Sequence, residues 1–257
     1  MTTIAETFAA RKRNGEMALI LYATMGFPDR PSSLELIRTM ADAGADLIEI
    51  GVPFSDPVAD GPAIQYSSRV ALDQGITLGQ IIDDAAGLDL AVPMVLMSYL
   101  NPLLAYGLDR LFPGLAAAGI AGLIVPDLPV EESDDVRSGA GSTGLDLILM
   151  AAPTSPKTRL AFICERSRGF VYCVSAAGTT GTKAALDPGL NDFLASVRQA
   201  TNKPIAVGFG ISSPAHIRDL RGRCDAVVAG SRIVEAVRNR EPMRPLIESL
   251  RIACQGG

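Results

Sequence analysis

The chain has 257 residues, of which 48% are hydrophobic and 20% charged, and its formal net charge is −5. An acidic balance without a cluster of Lys or Arg argues against a nucleic-acid-binding protein. No apolar run reaches the roughly 18 residues of a membrane-spanning helix, and the first 17 residues lack the apolar segment of a signal peptide. Four cysteines without a CxxC pair, together with a single histidine, do not form a zinc-site pattern, and they predict reduced thiols in a soluble cytoplasmic protein.

Short apolar runs alternate with amphipathic segments along the chain. The runs predict eight strands, at Ala18–Ala23, Ala45–Ile50, Pro93–Met97, Gly122–Val125, Leu145–Met150, Phe170–Val174, Ile205–Val207 and Ala226–Val228. The amphipathic segments predict helices at Ser32–Ala43, Leu108–Ala118, Asp187–Gln199 and Ser213–Arg221, with Ser32, Asp187 and Ser213 as N-caps or first-turn residues. Two further helices, Ala63–Leu72 and Leu78–Leu88, fit between the second and third strands.

This alternation predicts the fold. Strands that are apolar throughout and rich in Val, Ile and Leu are typical of parallel strands buried on both faces. Eight alternations in about 250 residues, without a linker, predict one (β/α)8 TIM-barrel domain over residues 1–257, an α/β fold with extra helices after strand two. An open doubly wound sheet is the alternative, but its Gly-x-Gly-x-x-Gly motif is missing after the first strand.

In a barrel, catalytic groups lie at the carboxyl ends of the strands. That edge collects the unusual residues Tyr22, Glu49, Asp60, Tyr99, Asp127, Tyr172 and Ser175. Glu49 stands inside an apolar strand, where desolvation raises the pKa of a carboxyl and lets it exchange protons near neutral pH. A structural ion pair is the alternative, but no basic residue stands at the neighbouring strand ends.

Three other acidic residues near the strand ends are harder to assign. Asp60 follows Glu49 on the next loop, where a second carboxylate could orient a substrate, although Asp-Gly is also ordinary turn chemistry. Asp56 precedes a proline and fits a turn or loop anchor. Asp127 either faces the site or caps the next loop.

Three late loops combine glycine with small hydroxyl residues, at 175–183, 207–213 and 229–232. Glycine lets backbone N–H groups approach an anion, and a helix that begins at Gly230–Ser231 would point its N-terminus at that anion. The loops after the last strands of a barrel often bind phosphate. They predict a phosphate site, with simple chain turns as the alternative.

Other chemistries have little support in the sequence. His216, early in a helix, is expected at the surface, so a Ser-His-Asp mechanism lacks its base. No lysine lies in a predicted strand, and the nearest candidate, Lys183, is in a loop, which disfavours a Schiff base. Of the chemistries considered, the sequence therefore favours proton transfer by carboxylates.

At these residues the chain resembles the α subunit family of tryptophan synthase over nearly its whole length. The segment from Glu49 to Pro62, EIGVPFSDPVADGP, is similar to the family signature. Supporting matches are LMSYLNP at 96–102, PDLPVEE at 126–132, GTTG at 178–181, GFGIS at 208–212 and Gly230–Ser231. Phe27 and Ala176 depart from the family pattern, at positions where Asp and a larger residue are usual.

The resemblance implies retro-aldol cleavage of indole-3-glycerol phosphate to indole and glyceraldehyde 3-phosphate, in tryptophan biosynthesis. Glu49 would be the catalytic acid/base and Asp60 the carboxylate that accepts the indole N–H. The residues that would bind substrate are Tyr22, Tyr172, Thr180, Gly181, Phe209, Gly210, Gly230 and Ser231. It implies neither a metal nor a cofactor in this chain.

The resemblance also implies a partner, a tryptophan synthase β subunit that holds pyridoxal phosphate, in an α-β-β-α heterotetramer. The loop Pro53–Asp60 and the segment Tyr99–Tyr106 match its docking surfaces. Three alternatives stay open: a free-standing indole-releasing lyase, a non-catalytic phosphate-ligand-binding barrel, and a phosphosugar isomerase or another aldolase.

Overall fold

A computed structural model describes residues 2–174, 189–208 and 210–256. The strands are β1 Ala18–Thr24, β2 Leu47–Gly51, β3 Met94–Met97, β4 Ile120–Ile124, β5 Asp146–Ile148, β6 Met150–Ala151, β7 Val171–Val174, β8 Ile205–Gly208 and β9 Ala226–Ala229. The helices are α1 Ile4–Arg13, α2 Arg30–Asp42, α3 Pro62–Asp73, α4 Leu78–Ala86, α5 Leu100–Tyr106, α6 Leu108–Ala117, α7 Asp134–Ser142, α8 Lys157–Arg166, α9 Leu190–Ala200, α10 Pro214–Asp219, α11 Ser231–Arg238 and α12 Met243–Cys254. A 3₁₀ turn at Val130–Glu132 precedes α7.

All the strands pair in parallel in one sheet, in the order β5-β4-β3-β2-β1-β9-β8-β7-β6. Its two outer strands, β5 and β6, are successive pieces of the one strand predicted at Leu145–Met150, separated by Leu149. The Leu149 N–H donates to Ser167 Oγ at 3.0 Å, and its carbonyl accepts from the Tyr172 N–H at 3.0 Å. Because the outer strands adjoin along the chain, the sheet is a nearly closed barrel, and the predicted (β/α)8 fold with α3 and α4 after β2 is confirmed.

The apolar side chains form two layers, one on each face of the sheet. The larger layer lies between the strands and the helices, and it takes residues such as Leu19, Ile48 and Val207. The smaller layer fills the inside of the barrel with the alternate strand residues, among them Ile20, Leu47, Val95, Ile124 and Val228. This alternation explains why the strands read as continuous apolar runs.

Helix α1 closes the amino end of the barrel from below. Ile4 and Phe8 belong to the inner layer, and the Phe8 ring lies 5.5 Å from the Phe170 ring. Thr3 caps the helix in a reciprocal pair with Glu6. The amino end is therefore packed with side chains, which leaves the carboxyl ends of the strands for a site.

A buried ion-pair cluster ties the two ends of the chain together beneath the barrel. Asp46 accepts from Arg11 Nε at 2.6 Å, from Arg251 Nη1 at 2.6 Å and from the Leu19 N–H at 2.8 Å. Glu16 accepts from both arginines. Because Arg11 is on α1 and Arg251 on α12, the cluster connects these two helices to the start of β2.

The predicted caps and the predicted exposure of His216 meet different outcomes. Ser213 is the N-cap of α10 as predicted, and it accepts from the His216 N–H at 3.4 Å. Ser32 lies in the first turn of α2, the second of its two predicted positions, and Asp29 is the cap, which accepts from the Ser32 N–H at 2.8 Å. Asp187 lies outside the described residues. The prediction that His216 is at the surface is wrong: the residue is buried, and its Nδ1 lies 3.1 Å from the Gly210 carbonyl oxygen.

Within the described ranges, no helix is both long and apolar enough to span a membrane. In the same ranges, no group of three His, Cys, Asp or Glu side chains is placed to hold a metal ion. All four cysteines, which are Cys164, Cys173, Cys224 and Cys254, are buried free thiols.

Candidate active site

Glu49 points into the carboxyl end of the barrel from the middle of β2. Leu47, two residues earlier on the same face, belongs to the inner layer, and Glu49 pairs in register with Tyr22 on β1 and Val95 on β3. The side chain is 1% exposed, and its Oε2 has no hydrogen-bond partner among the described residues. Burial, and secondly the charge of Asp60, raises the pKa of Glu49 to about 8.

Asp60 reaches the same space from the loop that follows β2. A tight turn holds it there, because its N–H donates to the Pro57 carbonyl at 3.0 Å and its own carbonyl accepts from Gln65 Nε2 at 2.8 Å. The residue is 3% exposed, and Oδ1 finds no partner within the described part of the chain. Burial raises the pKa of Asp60 to about 7, against the opposing effect of a hydrogen bond from Tyr99.

Tyr99 joins the Asp60 loop to the end of β3. Its hydroxyl donates to Asp60 and accepts from the Ala59 N–H at 3.0 Å. Its ring stacks on Phe54 with centroids 5.1 Å apart. The sequence placed Tyr99 at this edge of the barrel, and the resemblance placed it at the start of a docking segment, but neither predicted its contact with Asp60.

Two tyrosines lean across the mouth of the barrel, each over a glycine on the neighbouring strand. A Cβ at Gly51 would lie 2.1 Å from the Tyr22 Oη, and a Cβ at Gly208 would lie 2.3 Å from the Tyr172 Oη. Glycine is required at both positions because any other side chain would occupy the space of the phenol. Sequence reasoning missed Gly51, since it sits in a motif where a glycine reads as a simple turn.

The Tyr22 hydroxyl continues into a buried chain of side-chain hydroxyls. Its Oη lies 3.1 Å from Thr24 Oγ1, and Thr24 Oγ1 lies 2.6 Å from Ser67 Oγ. Ser67, on α3, in turn donates to the Ile64 carbonyl at 2.9 Å. Thr24 and Ser67 are both buried. No sequence pattern pointed to either residue.

The predicted phosphate residues are only partly covered by the structure. Gly230 follows β9 and packs against Tyr22, its ideal Cβ position lying 3.3 Å from the Tyr22 Cβ, and Ser231 begins α11. Gly210 adopts a φ of 93°, which favours glycine, in the loop after β8. These three therefore gather at the same edge as Glu49, whereas Thr180, Gly181 and Phe209 lie outside the described residues.

Two other carboxylates that follow strand ends do not join the pair. Asp127 is exposed, and its Oδ1 accepts from the N–H of Leu100, the first residue of α5, at 2.9 Å. The contact caps α5, which precedes β4 in the chain, rather than the loop that follows Asp127. Asp56 is exposed and accepts from the Ser55 hydroxyl, in agreement with a loop anchor.

Beside the Asp60 loop lies a cavity of about 650 Å³. Val58 and Ala59 form one side, and Leu128, Met150 and Val174 contribute to the other. Since Met150 and Val174 stand on β6 and β7, the cavity opens at the end of the barrel that carries Glu49. Asp127, Ser155 and Arg159 also line the cavity, so its walls combine apolar side chains with polar and charged ones.

Phe27, which stands where the family pattern usually has Asp, packs among other side chains. Phe27 is buried, and its ring meets the Tyr66 ring edge-on with centroids 5.9 Å apart. Arg238 lies over the face of the same Tyr66 ring, 4.7 Å from its centroid. Ala176, the other departure, lies outside the described residues.

Comparison with known proteins is consistent along the whole chain. The family model described as tryptophan synthase alpha chain matches residues 8–255. The chain is 47% identical to a tryptophan synthase alpha chain of Chloroflexus aurantiacus over 245 residues, which are 94% of this chain and 92% of that one. It is 45% identical to one of Carboxydothermus hydrogenoformans over 241 residues, 93% of this chain and 90% of that one.

Solved structures agree with the sequence comparisons. A chain of Mycobacterium tuberculosis tryptophan synthase is similar with a TM-score of 0.93 and 33% identity, and both chains are covered completely. The tryptophan synthase subunit alpha of Legionella pneumophila is similar with a TM-score of 0.88 and 30% identity, with 99% of this chain and 98% of that one covered.

Proposed function

The chain belongs to the tryptophan synthase alpha chain family, and we propose that Glu49 and Asp60 carry the proton transfers of the family reaction. That reaction, the function of this chain as a lyase, cleaves indole-3-glycerol phosphate to indole and glyceraldehyde 3-phosphate in tryptophan biosynthesis. The observation that supports the proposal is the pair of buried carboxyls at the barrel mouth, each with an oxygen that lacks a hydrogen-bond partner among the described residues.

Glu49 is the acid and then the base. With a pKa of about 8, it carries a proton at neutral pH and delivers that proton to C3 of the indole ring. Protonation turns the ring into a cation that can take up an electron pair. The carboxylate left behind then removes the proton from the hydroxyl next to the C–C bond. As the carbonyl forms, that bond breaks and its electrons restore the neutral indole.

Asp60 stabilises the indole cation that exists between the two proton transfers of Glu49. Its pKa of about 7 lies below that of Glu49, so Asp60 ionises first while Glu49 keeps its proton. The carboxylate accepts the N–H of the indole, whose acidity rises when C3 is protonated. In a water-poor site this interaction is stronger in the transition state than in the ground state, which is the condition for catalysis.

The remaining predicted residues bind the substrate. Gly210, Gly230 and Ser231 are proposed to hold the phosphate together with Thr180 and Gly181, and Tyr22, Tyr172 and Phe209 to contact the indole. The first turn of α11 supports the phosphate assignment, since backbone N–H groups at a helix N-terminus attract anions. The chain is proposed to be a single barrel domain.

We propose a β subunit as the partner, in an α-β-β-α complex, with pyridoxal phosphate held by the partner and no cofactor in this chain. Two exposed apolar side chains lie on the proposed docking segments. Val58 is 76% exposed on the loop that carries Asp60, and Leu104 is 52% exposed on α5. A cytoplasmic location is proposed from four buried free thiols, which fit a reducing compartment.

Glu49→Gln tests the assignment. We expect indole release from indole-3-glycerol phosphate to fall at least about 100-fold, because a general acid/base contributes that much or more. Binding of glyceraldehyde 3-phosphate, measured by calorimetry, should stay within a few-fold of the unmodified protein. Glu35→Gln, at an exposed glutamate on α2, is the matched control. An equal loss of turnover and of binding would show that Glu49 has a structural role and not a catalytic one.

The same assay, with and without an added β subunit, tests the partner. Slow release that rises sharply on addition supports the complex. Fast release that the β subunit does not change would indicate a free-standing lyase. No release under either condition would leave a binding barrel and overturn the roles of both carboxyls.

A further inference from the structure

One arrangement of protons satisfies every contact in the hydroxyl chain that begins at Tyr22. Ser67 uses its single proton on the Ile64 carbonyl, which can only accept. The 2.6 Å contact between Ser67 and Thr24 then requires Thr24 to donate. With the Thr24 proton used, the 3.1 Å contact between Thr24 and Tyr22 requires Tyr22 to donate. The phenol proton therefore points to Thr24, and the phenol oxygen can only accept.

The Tyr22 hydroxyl lies beside the two carboxyls of the proposed mechanism. It stands over Gly51, which is the next inward-facing position after Glu49 on β2. Burial, and after it the charges of Asp60 and Glu49, hold the pKa of Tyr22 well above the usual range. Tyr22 and Glu49 are register partners on the inner face of the sheet, so a phenol with a free proton would share that face with the carboxyl oxygens that lack a partner among the described residues.

We propose that Thr24 and Ser67 are positioning residues that keep the Tyr22 proton away from Glu49 and Asp60, so that Glu49 holds its own proton for the indole ring. The inference rests on the proposed acid role of Glu49. A hydrogen bond donated to a carboxylate favours its charged form and lowers its pKa. Committing the phenol to Thr24 removes the one neutral donor that β1 brings next to Glu49.

The other groups that face the pair do not replace this effect. Among the described residues, Tyr99 donates to Asp60 from the end of β3, and Tyr172 approaches from β7. Asp60 is the charged group that acts on Glu49, and it raises the pKa of Glu49. The direction of the Tyr22 proton is therefore a separate control on Glu49.

The test is a double-mutant cycle read from the pH dependence of kcat/KM, which reports ionisations of the free enzyme. Thr24→Val keeps the side-chain shape and frees the phenol proton. We expect it to shift the alkaline limb, set by Glu49 near pH 8, to lower pH by about one unit. Tyr22→Phe should leave the limb in place, and Thr24→Val should have no further effect on it in the Tyr22→Phe background.

Two more variants sharpen the cycle. Thr24→Ser keeps the hydroxyl and should restore the original limb. Ser67→Ala removes the acceptor of the Thr24 proton and should shift the limb in the same direction as Thr24→Val, which also tests the inference if Thr24→Val does not fold.

The inference is overturned if these variants keep the original limb, or if the shift persists without the Tyr22 hydroxyl. Activity in Glu49→Gln would instead remove the proposed acid. An unshifted limb together with an inactive Glu49→Gln would refute the hydroxyl chain alone.

Discussion

Glu49→Gln should have a larger free energy of unfolding than the unmodified protein, and this difference should grow as the pH rises. The reason is that ionising a buried carboxyl is costly. The pKa of this carboxyl rises from 4.5 to about 8 on folding. Below pH 4.5 both the folded and the unfolded chain carry the proton, and Glu49 adds no pH-dependent term. Above it the unfolded chain loses the proton while the folded chain keeps it, so the free energy of unfolding falls until the pH passes about 8.

The size of the effect follows from the shift. A shift of about 3.5 units corresponds to about 5 kcal/mol once the pH exceeds 8, at about 1.4 kcal/mol per unit. Between pH 5.5 and 7.5 the expected change is about 3 kcal/mol. Glutamine has a similar shape and cannot ionise, so Glu49→Gln should gain this difference over the unmodified chain.

Urea unfolding at pH 5.5, 7.5 and 8.5 measures the gain. The chain has no Trp, so far-ultraviolet circular dichroism is the appropriate signal. Asp60→Asn should show the same rising gain but level off about one unit earlier, because the pKa of Asp60 is about 7. Glu35→Gln serves as the exposed control. A gain from Glu49→Gln that is the same at pH 5.5 and 8.5, with unchanged m-values, would refute the buried-acid reasoning.

Two further predictions concern packing and the ion-pair cluster. Gly208→Ala should reduce indole release strongly and cost about 1–3 kcal/mol in urea unfolding, because its Cβ would lie 2.3 Å from the Tyr172 Oη. Gly114→Ala, on α6, is the control, because its Cβ would meet nothing closer than 3.7 Å. A fully active Gly208→Ala would contradict the close approach. Arg251→Met should lower the free energy of unfolding by about 3–5 kcal/mol, since it leaves buried Asp46 with fewer cations. Arg244→Met, at an exposed pair, should cost less than about 1 kcal/mol. Equal losses in urea unfolding would show that the cluster adds little stability.

The sequence predicted the strands well because parallel barrel strands are buried on both faces and read as apolar runs. The same rule failed at the fifth strand, where the break at Leu149 depends on a hydrogen bond to Ser167, a residue 18 positions away. Helix α1 was missed because its buried face is narrow, with only Ile4, Thr7 and Phe8 covered. Helix α7 contains two glycines, which weaken a helical pattern.

The carboxyl pair could be predicted because an acidic residue in an apolar strand is a local signal. The partners that orient the pair could not. Whether Tyr22 lies over Gly51 depends on the register between β1 and β2, and no local pattern contains that register. His216 was misplaced for a similar reason, since its contact with the Gly210 carbonyl forms only when the loop after β8 folds back on α10.

The position of β1 between β2 and β9 bears on the order in which the chain can fold during synthesis. Ala18 pairs with Ala226, and Asp46 binds Arg251, so both contacts need residues that are synthesised long after β1 and β2. Until then β1 has one open edge and Asp46 lacks one of its two arginines. Contacts between residues so distant along the chain slow folding, and an unpaired strand edge is open to aggregation. Stalling the ribosome before Ala226 should therefore leave a nascent chain that depends on chaperones, and release of α12 from the ribosome should end that dependence.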